Sequence, residues 1–137
     1  MLTHRTTCRV IYGDTDNMGV AYHANYLRWF EMGRTEMFRF LGLSYKSIEA
    51  KGVFLPVSEV HCKFKSPAHY DDVIVIETTF DTHIRGAVKF DYLIFSEDGK
   101  TLLVRGYTKH ACLNSNGRVI RPPEFLVKLI GAHSKAN

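Results

Sequence analysis

Two carboxylates, Asp14 and Asp16, and an imidazole, His23, lie in one run, Tyr12-Gly-Asp-Thr-Asp-Asn-Met-Gly-Val-Ala-Tyr-His-Ala-Asn-Tyr-Leu-Arg-Trp-Phe-Glu31. The run opens as a polar, glycine-punctuated loop and passes directly into an amphipathic helix. A carboxylate at such a junction can serve as general base or nucleophile. The first helical turn carries backbone N–H groups with no intrahelical partner, a natural site for a developing oxyanion. The plain alternative is that both aspartates make turns or cap the helix. A metal site is a third reading, but two carboxylates and one histidine lack a further ligand at fixed spacing, so no metal is expected. His23 in its neutral form both donates and accepts, which suits it either to hold a water or to fix the turn.

The elements that must position these groups are legible from periodicity. Residues 5 to 12 read as a first strand, rich in β-branched side chains and ended by Gly13. From about Ala24 to Leu41 the pattern turns helical. Tyr26, Trp29, Phe30, Gly33, Met37, Phe40 and Leu41 fall within an arc of about 120°, and Arg28, Glu31, Arg34, Thr35, Glu36 and Arg39 take the other side. Gly33 inside the apolar arc predicts a close approach by a neighbouring element. Gly42 is the helix stop, with Leu43 placed for the accompanying hydrophobic contact. Residues 44 to 50 add a short helical turn.

After Gly52 nearly everything reads as strand. Val53 to Lys65 comes first, with Pro56 implying an edge, an early position or a bulge. Val73 to Ile84, Ala87 to Ser96 and Thr101 to Leu113 follow, joined through Arg85-Gly86 and Glu97-Asp-Gly-Lys100 and closed by Ser115-Asn-Gly-Arg118. Such short turns make them antiparallel neighbours. Val88, Phe90, Tyr92 and Ile94 alternate with polar residues, so one sheet face is apolar and the long helix is its obvious cover. Arg121-Pro-Pro-Glu allows a C-terminal helix over Phe125 to Ile130.

At 137 residues the chain fits a single domain, residues 1–137, with no need of a metal or disulfide to hold its core. The net charge of +4 is dispersed, which speaks against a nucleic-acid partner. The three cysteines, Cys8, Cys62 and Cys112, are far apart in strand-like runs and read as free thiols in a reducing compartment. No apolar run reaches the roughly 18 residues of a membrane span, and the N-terminus lacks a leader's apolar core, so a cytoplasmic location is expected.

The loop-helix run, with Gly33-Arg-Thr-Glu-Met, Ser66-Pro-Ala, Tyr70-Asp-Asp and Arg121-Pro-Pro, closely resembles the signature of the YbgC-like, 4-hydroxybenzoyl-CoA thioesterase group of hotdog-fold acyl-CoA thioesterases. The resemblance covers roughly residues 5 to 125. It implies an α+β hotdog fold, one long helix wrapped by a curved antiparallel sheet of about five strands, paired into a homodimer or homotetramer. It further implies Asp16 as the catalytic carboxylate and a carbonyl-polarising backbone N–H at or next to His23. No cofactor is expected, because coenzyme A is part of the substrate. Asn17-Met18 and Ala21 differ from many relatives and bear on the acyl group accepted, taken here to be small or medium. Tyr26 is placed to line the acyl pocket. Arg85, Lys89, Arg105 and Lys109 share strand faces and are candidates for the phosphates of coenzyme A, of which Arg85 and Lys89 are the foremost; the alternative is a solvated outer face. Two other functions fit the fold, a hydratase or dehydratase and a non-catalytic acyl-thioester binding module.

Overall fold

The computed structural model of the protein describes residues 2–81 and 86–136. The chain runs β1 (Leu2–Arg9), a 3-10 turn (Tyr12–Asp14), α1 (Asn25–Phe40), α2 (Tyr45–Ala50), β2 (Val57–Phe64), β3 (Val73–Asp81), β4 (Ala87–Ser96), β5 (Leu102–Leu113), β6 (Val119–Ile120) and α3 (Glu124–Ala136). One antiparallel sheet has the order β1-β3-β4-β5-β2, with β6 pairing onto β5. The β3-β4 and β4-β5 pairs follow from short connections, as the turn residues require. Gly99 in the β4-β5 turn and Gly117 in the β5-β6 turn take φ of 75° and 76°, a region closed to most side chains.

α1 lies across β3, β1 and β4 and is the core's main cover. Gly33 is what lets it close on the sheet: a Cβ at this position would overlap Thr78 Oγ1 and stand 2.7 Å from Ile76 Cγ2. Across the interface Gly106 does the same for Phe30, whose ring lies flat on Tyr92 at 4.2 Å. The strand alternation holds, with Val88, Phe90, Tyr92 and Ile94 all buried. α1 ends as expected at Gly42, where the Leu43 N–H donates to the Phe38 carbonyl and the Gly42 N–H to that of Arg39.

The apolar stripe of α1 is rotated from the one periodicity suggests. Phe38 is fully buried while Phe40 is 60% exposed. Arg34, assigned to the polar side, is buried instead. Its guanidinium donates to the Tyr92 hydroxyl at 3.3 Å, which reaches Thr108 Oγ1 at 2.7 Å. Thr108 in turn reaches His110 Nε2 at 2.8 Å, and His110 Nδ1 reaches the Leu55 carbonyl at 2.8 Å. The Leu55 carbonyl can only accept, so Nδ1 of His110 carries a hydrogen; with the ring neutral, Nε2 accepts from the Thr108 hydroxyl, Thr108 from Tyr92 and Tyr92 from Arg34. Burial, the largest cause, pushes the His110 pKa down to about 4, in accord with that state.

β2 begins at Val57 rather than Val53, because Pro56 breaks the ladder and a register shift follows between Val57 and Glu59. It is an edge strand exposed along nearly all its length, with Val57, Val60 and Phe64 among its open side chains. Among the described residues no helix is long and apolar enough to cross a membrane.

Candidate active site

The loop before α1 gives its two carboxylates different environments. Asp14 is buried; its Oδ2 accepts from the Ile11 N–H at 3.0 Å and its Oδ1 pairs with the Arg28 guanidinium. The Asp14 carbonyl accepts from the Tyr22 N–H at 2.8 Å and from Asn25 Nδ2 at 2.7 Å. Asp14 therefore braces the loop against the start of α1.

Asp16 is half-buried, and only Oδ1 is engaged, by the Met18 N–H at 2.8 Å in a side-chain turn. Its Oδ2 has no hydrogen-bond partner among the described residues. The Asp16 backbone closes a tight reversal, its N–H donating to the Val20 carbonyl at 2.9 Å and its carbonyl accepting from the Gly19 N–H at 3.1 Å. Gly19 has φ of 78°, so the reversal depends on glycine there. The returning arm is pinned to the Ser66-Pro67-Ala68 segment, with the Ala21 N–H donating to the Ala68 carbonyl at 2.8 Å.

The start of α1 is open. The residue preceding it, Ala24, makes no side-chain cap, and the Asn25 side chain turns back to the Asp14 carbonyl instead. The Asn25, Tyr26 and Leu27 N–H groups bond to the carbonyls of Tyr22, His23 and Ala24. Those of His23 and Ala24 have no acceptor among the described residues. A serine or aspartate at position 24 would fill this place with its own oxygen.

A cavity of about 270 Å³ lies beside that end, lined by Ala21, His23, Tyr26, Phe64, Lys65, Ser66 and Pro67. His23 is exposed and meets the Phe64 ring edge-on at 6.4 Å. Tyr26 is buried; its hydroxyl accepts from the Ala68 N–H at 3.1 Å, and its ring contacts Phe64 at 5.4 Å. Burial pushes the Tyr26 phenol up, so it stays protonated. Cys62 is close by on β2, but burial pushes its thiol up to about 11, so it offers no thiolate at neutral pH.

The structure thus brings His23 and Tyr26 into one cavity. Asp16 stands on the adjoining reversal and does not line the cavity within a single chain. Lys89 lies on the sheet's outer face, 3.3 Å from Asp91 and over the Tyr107 ring at 4.8 Å, away from that cavity. Arg85 lies outside the described residues. Sequence reading missed Phe64 and Lys65 as cavity walls, because the end of β2 meets His23 and Tyr26 only once the strand has packed beside the start of α1.

Residues 10–130 match the Thioesterase-like superfamily. The chain is 34% identical over 116 residues to the protein YneP of Bacillus subtilis, covering 85% of this chain and 82% of that one. It is 32% identical over 108 residues to the acyl-CoA thioesterase YbgC of Haemophilus influenzae, covering 77% of each. Among solved structures, a DHNA-CoA thioesterase from Staphylococcus aureus superposes with a TM-score of 0.85 at 31% identity, over 99% of this chain and 91% of that one.

Proposed function

Because this chain belongs to the Thioesterase-like superfamily, with its hotdog fold, we propose that it hydrolyses the thioester of a small or medium acyl-CoA, with Asp16 as general base or nucleophile. The observation that carries the reading is the pairing of a half-engaged carboxylate with an uncapped helix start. The Oδ2 of Asp16 is uncommitted, and the N–H groups of His23 and Ala24 have no acceptor.

A thioester carbonyl is electrophilic and thiolate leaves readily, so a placed nucleophile and an oxyanion site suffice. In one course Asp16 takes a proton from water as the water oxygen bonds to the acyl carbon. The carbonyl oxygen gains charge and is received by the His23 or Ala24 N–H; the carbon–sulfur bond then breaks and thiolate departs. In the other, the Asp16 carboxylate itself bonds to the carbon, thiolate leaves, and water opens the resulting anhydride. His23 holds or orients the water in either course, and Tyr26 and Phe64 form the apolar wall for the acyl group. No metal or other cofactor takes part. The free thiols of Cys8, Cys62 and Cys112 suit a reducing, cytoplasmic setting.

The site reads as completed by a second copy of the chain. β2 offers an unpaired, exposed edge, and antiparallel pairing of two such edges sets the beginning of one β2 beside the end of the other. That brings Leu55 and Pro56 of one protomer toward Phe64 and Lys65 of its partner. Leu55 and Pro56 wall a second cavity of about 540 Å³, with Tyr45, Ile48, Val53 and Leu113, large enough to extend the acyl pocket.

The test is a panel of aliphatic and aromatic acyl-CoA esters with the released thiol trapped by a disulfide dye. Thiol release that is insensitive to a chelator is the expected result; no release from any ester overturns the reading. In a single turnover in ¹⁸O water, label in the Asp16 carboxylate marks the nucleophilic course with water opening the anhydride at the Asp16 carbon, whereas the general-base course puts label only in the released acid.

A further inference from the structure

The outer-face ladder between β2 and β5 is charge-matched at one end and not at the other. Glu59 stands opposite Lys109, with carboxylate and ammonium 3.8 Å apart. Lys89, opposite Lys109 on β4, is neutralised by Asp91. At the far end of β2, Lys63 directly faces Arg105, and Lys65 follows just past the strand. Like charges directly opposite one another weaken an antiparallel pair.

All three side chains are exposed, and no carboxylate among the described residues stands within ion-pair distance of them. Strand geometry keeps the three backbones within about 7 Å along the ladder. The Lys63 ammonium, with Arg105 behind it, holds Lys65 below the usual lysine range, the mark of a cluster short of negative charge. Lys65 is also a wall of the cavity that holds His23, so the cluster sits on the rim of the candidate site.

We propose that Lys63, Lys65 and Arg105 bind the phosphoryl groups of the coenzyme A nucleotide, the pantetheine arm running from this triad into the cavity beside His23. The assignment rests on the thioesterase reading of that cavity. It gives the phosphates a place that Lys89, already paired, does not offer. Three cations converging on one lip suit a 3′-phosphate and a pyrophosphate, each an acceptor of several charge-assisted hydrogen bonds.

The test compares benzoyl-CoA with benzoyl-N-acetylcysteamine, which keeps the thioester and lacks every phosphate, in the full chain and in Lys63→Ala, Arg105→Ala and the double variant. The ratio of kcat/KM for the coenzyme A ester to that for the truncated ester falls about tenfold per cation removed, the loss of one charge-assisted contact. Arg105→Lys recovers part of it. An unchanged ratio overturns the proposal. If neither ester is hydrolysed by the unsubstituted protein, the thioesterase reading fails, and titration with adenosine 3′,5′-bisphosphate decides the triad alone. Calorimetric binding that the double variant abolishes supports the site, and no binding, or equal binding by both, removes it.

Discussion

Asp14 and Asp16 differ by one intervening residue in the chain and by their whole environment in the fold. The two oxygens of Asp14 are consumed by the Ile11 N–H and Arg28, so its charge is a structural one. Asp14→Asn is expected to lower stability by about 2 kcal/mol, because it weakens a charge-assisted bond at a buried site. A urea denaturation midpoint checks this, and kcat of the folded fraction should stay within about threefold of the unsubstituted protein. Spacing alone could not separate the two aspartates; what separates them is Arg28, which reaches from the first turn of α1 onto the loop residue Asp14 and not Asp16. The resemblance singled out Asp16, and the geometry adds that its Oδ2 is uncommitted. The uncapped start of α1 was legible in outline, since His23-Ala24 offers no capping side chain.

At the scale of elements, local signals were the readable ones. Gly42 with Leu43, the glycine turns and the alternation in β4 each depend on a few neighbouring residues. The long-range polar chain was not readable, because Arg34 meets Tyr92 and His110 meets Leu55 only after the sheet has formed. Helical periodicity located the apolar stripe of α1 but not its centre, which is why Phe40, placed within it, is exposed, and Phe38, left outside it, is buried. Gly106 shows how tightly the elements close: a Cβ there would overlap the His61 carbonyl and lie 2.7 Å from the Phe30 ring. Gly106→Ala is therefore predicted to cost about 1–3 kcal/mol, seen as a lowered Tm, since strand backbone cannot yield as a side-chain tip can. His110 makes stability depend on pH. Its folded pKa is depressed to about 4 from 6.5, so the unfolded chain binds a proton that the fold refuses. Stability is then full above about pH 6.5 and falls as pH drops toward about 4, by about 2–3 kcal/mol. Denaturation midpoints across that range check the slope, and His110→Gln should flatten it.

For the molecule as a whole, the helix-covered face of the sheet is a closed core and the open parts are the β2 edge and the charged outer face. Val57 and Val60 stand 48% and 45% exposed on that edge, an unusual position for aliphatic side chains with unpaired backbone beside them. If two β2 edges pair as proposed, the unsubstituted protein sediments as a dimer or larger and Val60→Lys as a monomer, with loss of thioester hydrolysis where the partner completes the pocket; a monomeric unsubstituted protein, or an unchanged mass in Val60→Lys, contradicts pairing through β2. The central claim is narrower than any assembly and concerns one carboxylate. Its most direct test is kcat for acyl-CoA hydrolysis by Asp16→Asn, measured beside its Tm. The account predicts a fall of at least about 10²-fold with Tm nearly unchanged, because Asp16 contributes a single exposed-side turn contact to the fold. Hydrolysis by Asp16→Asn at the rate of the unsubstituted protein would contradict it.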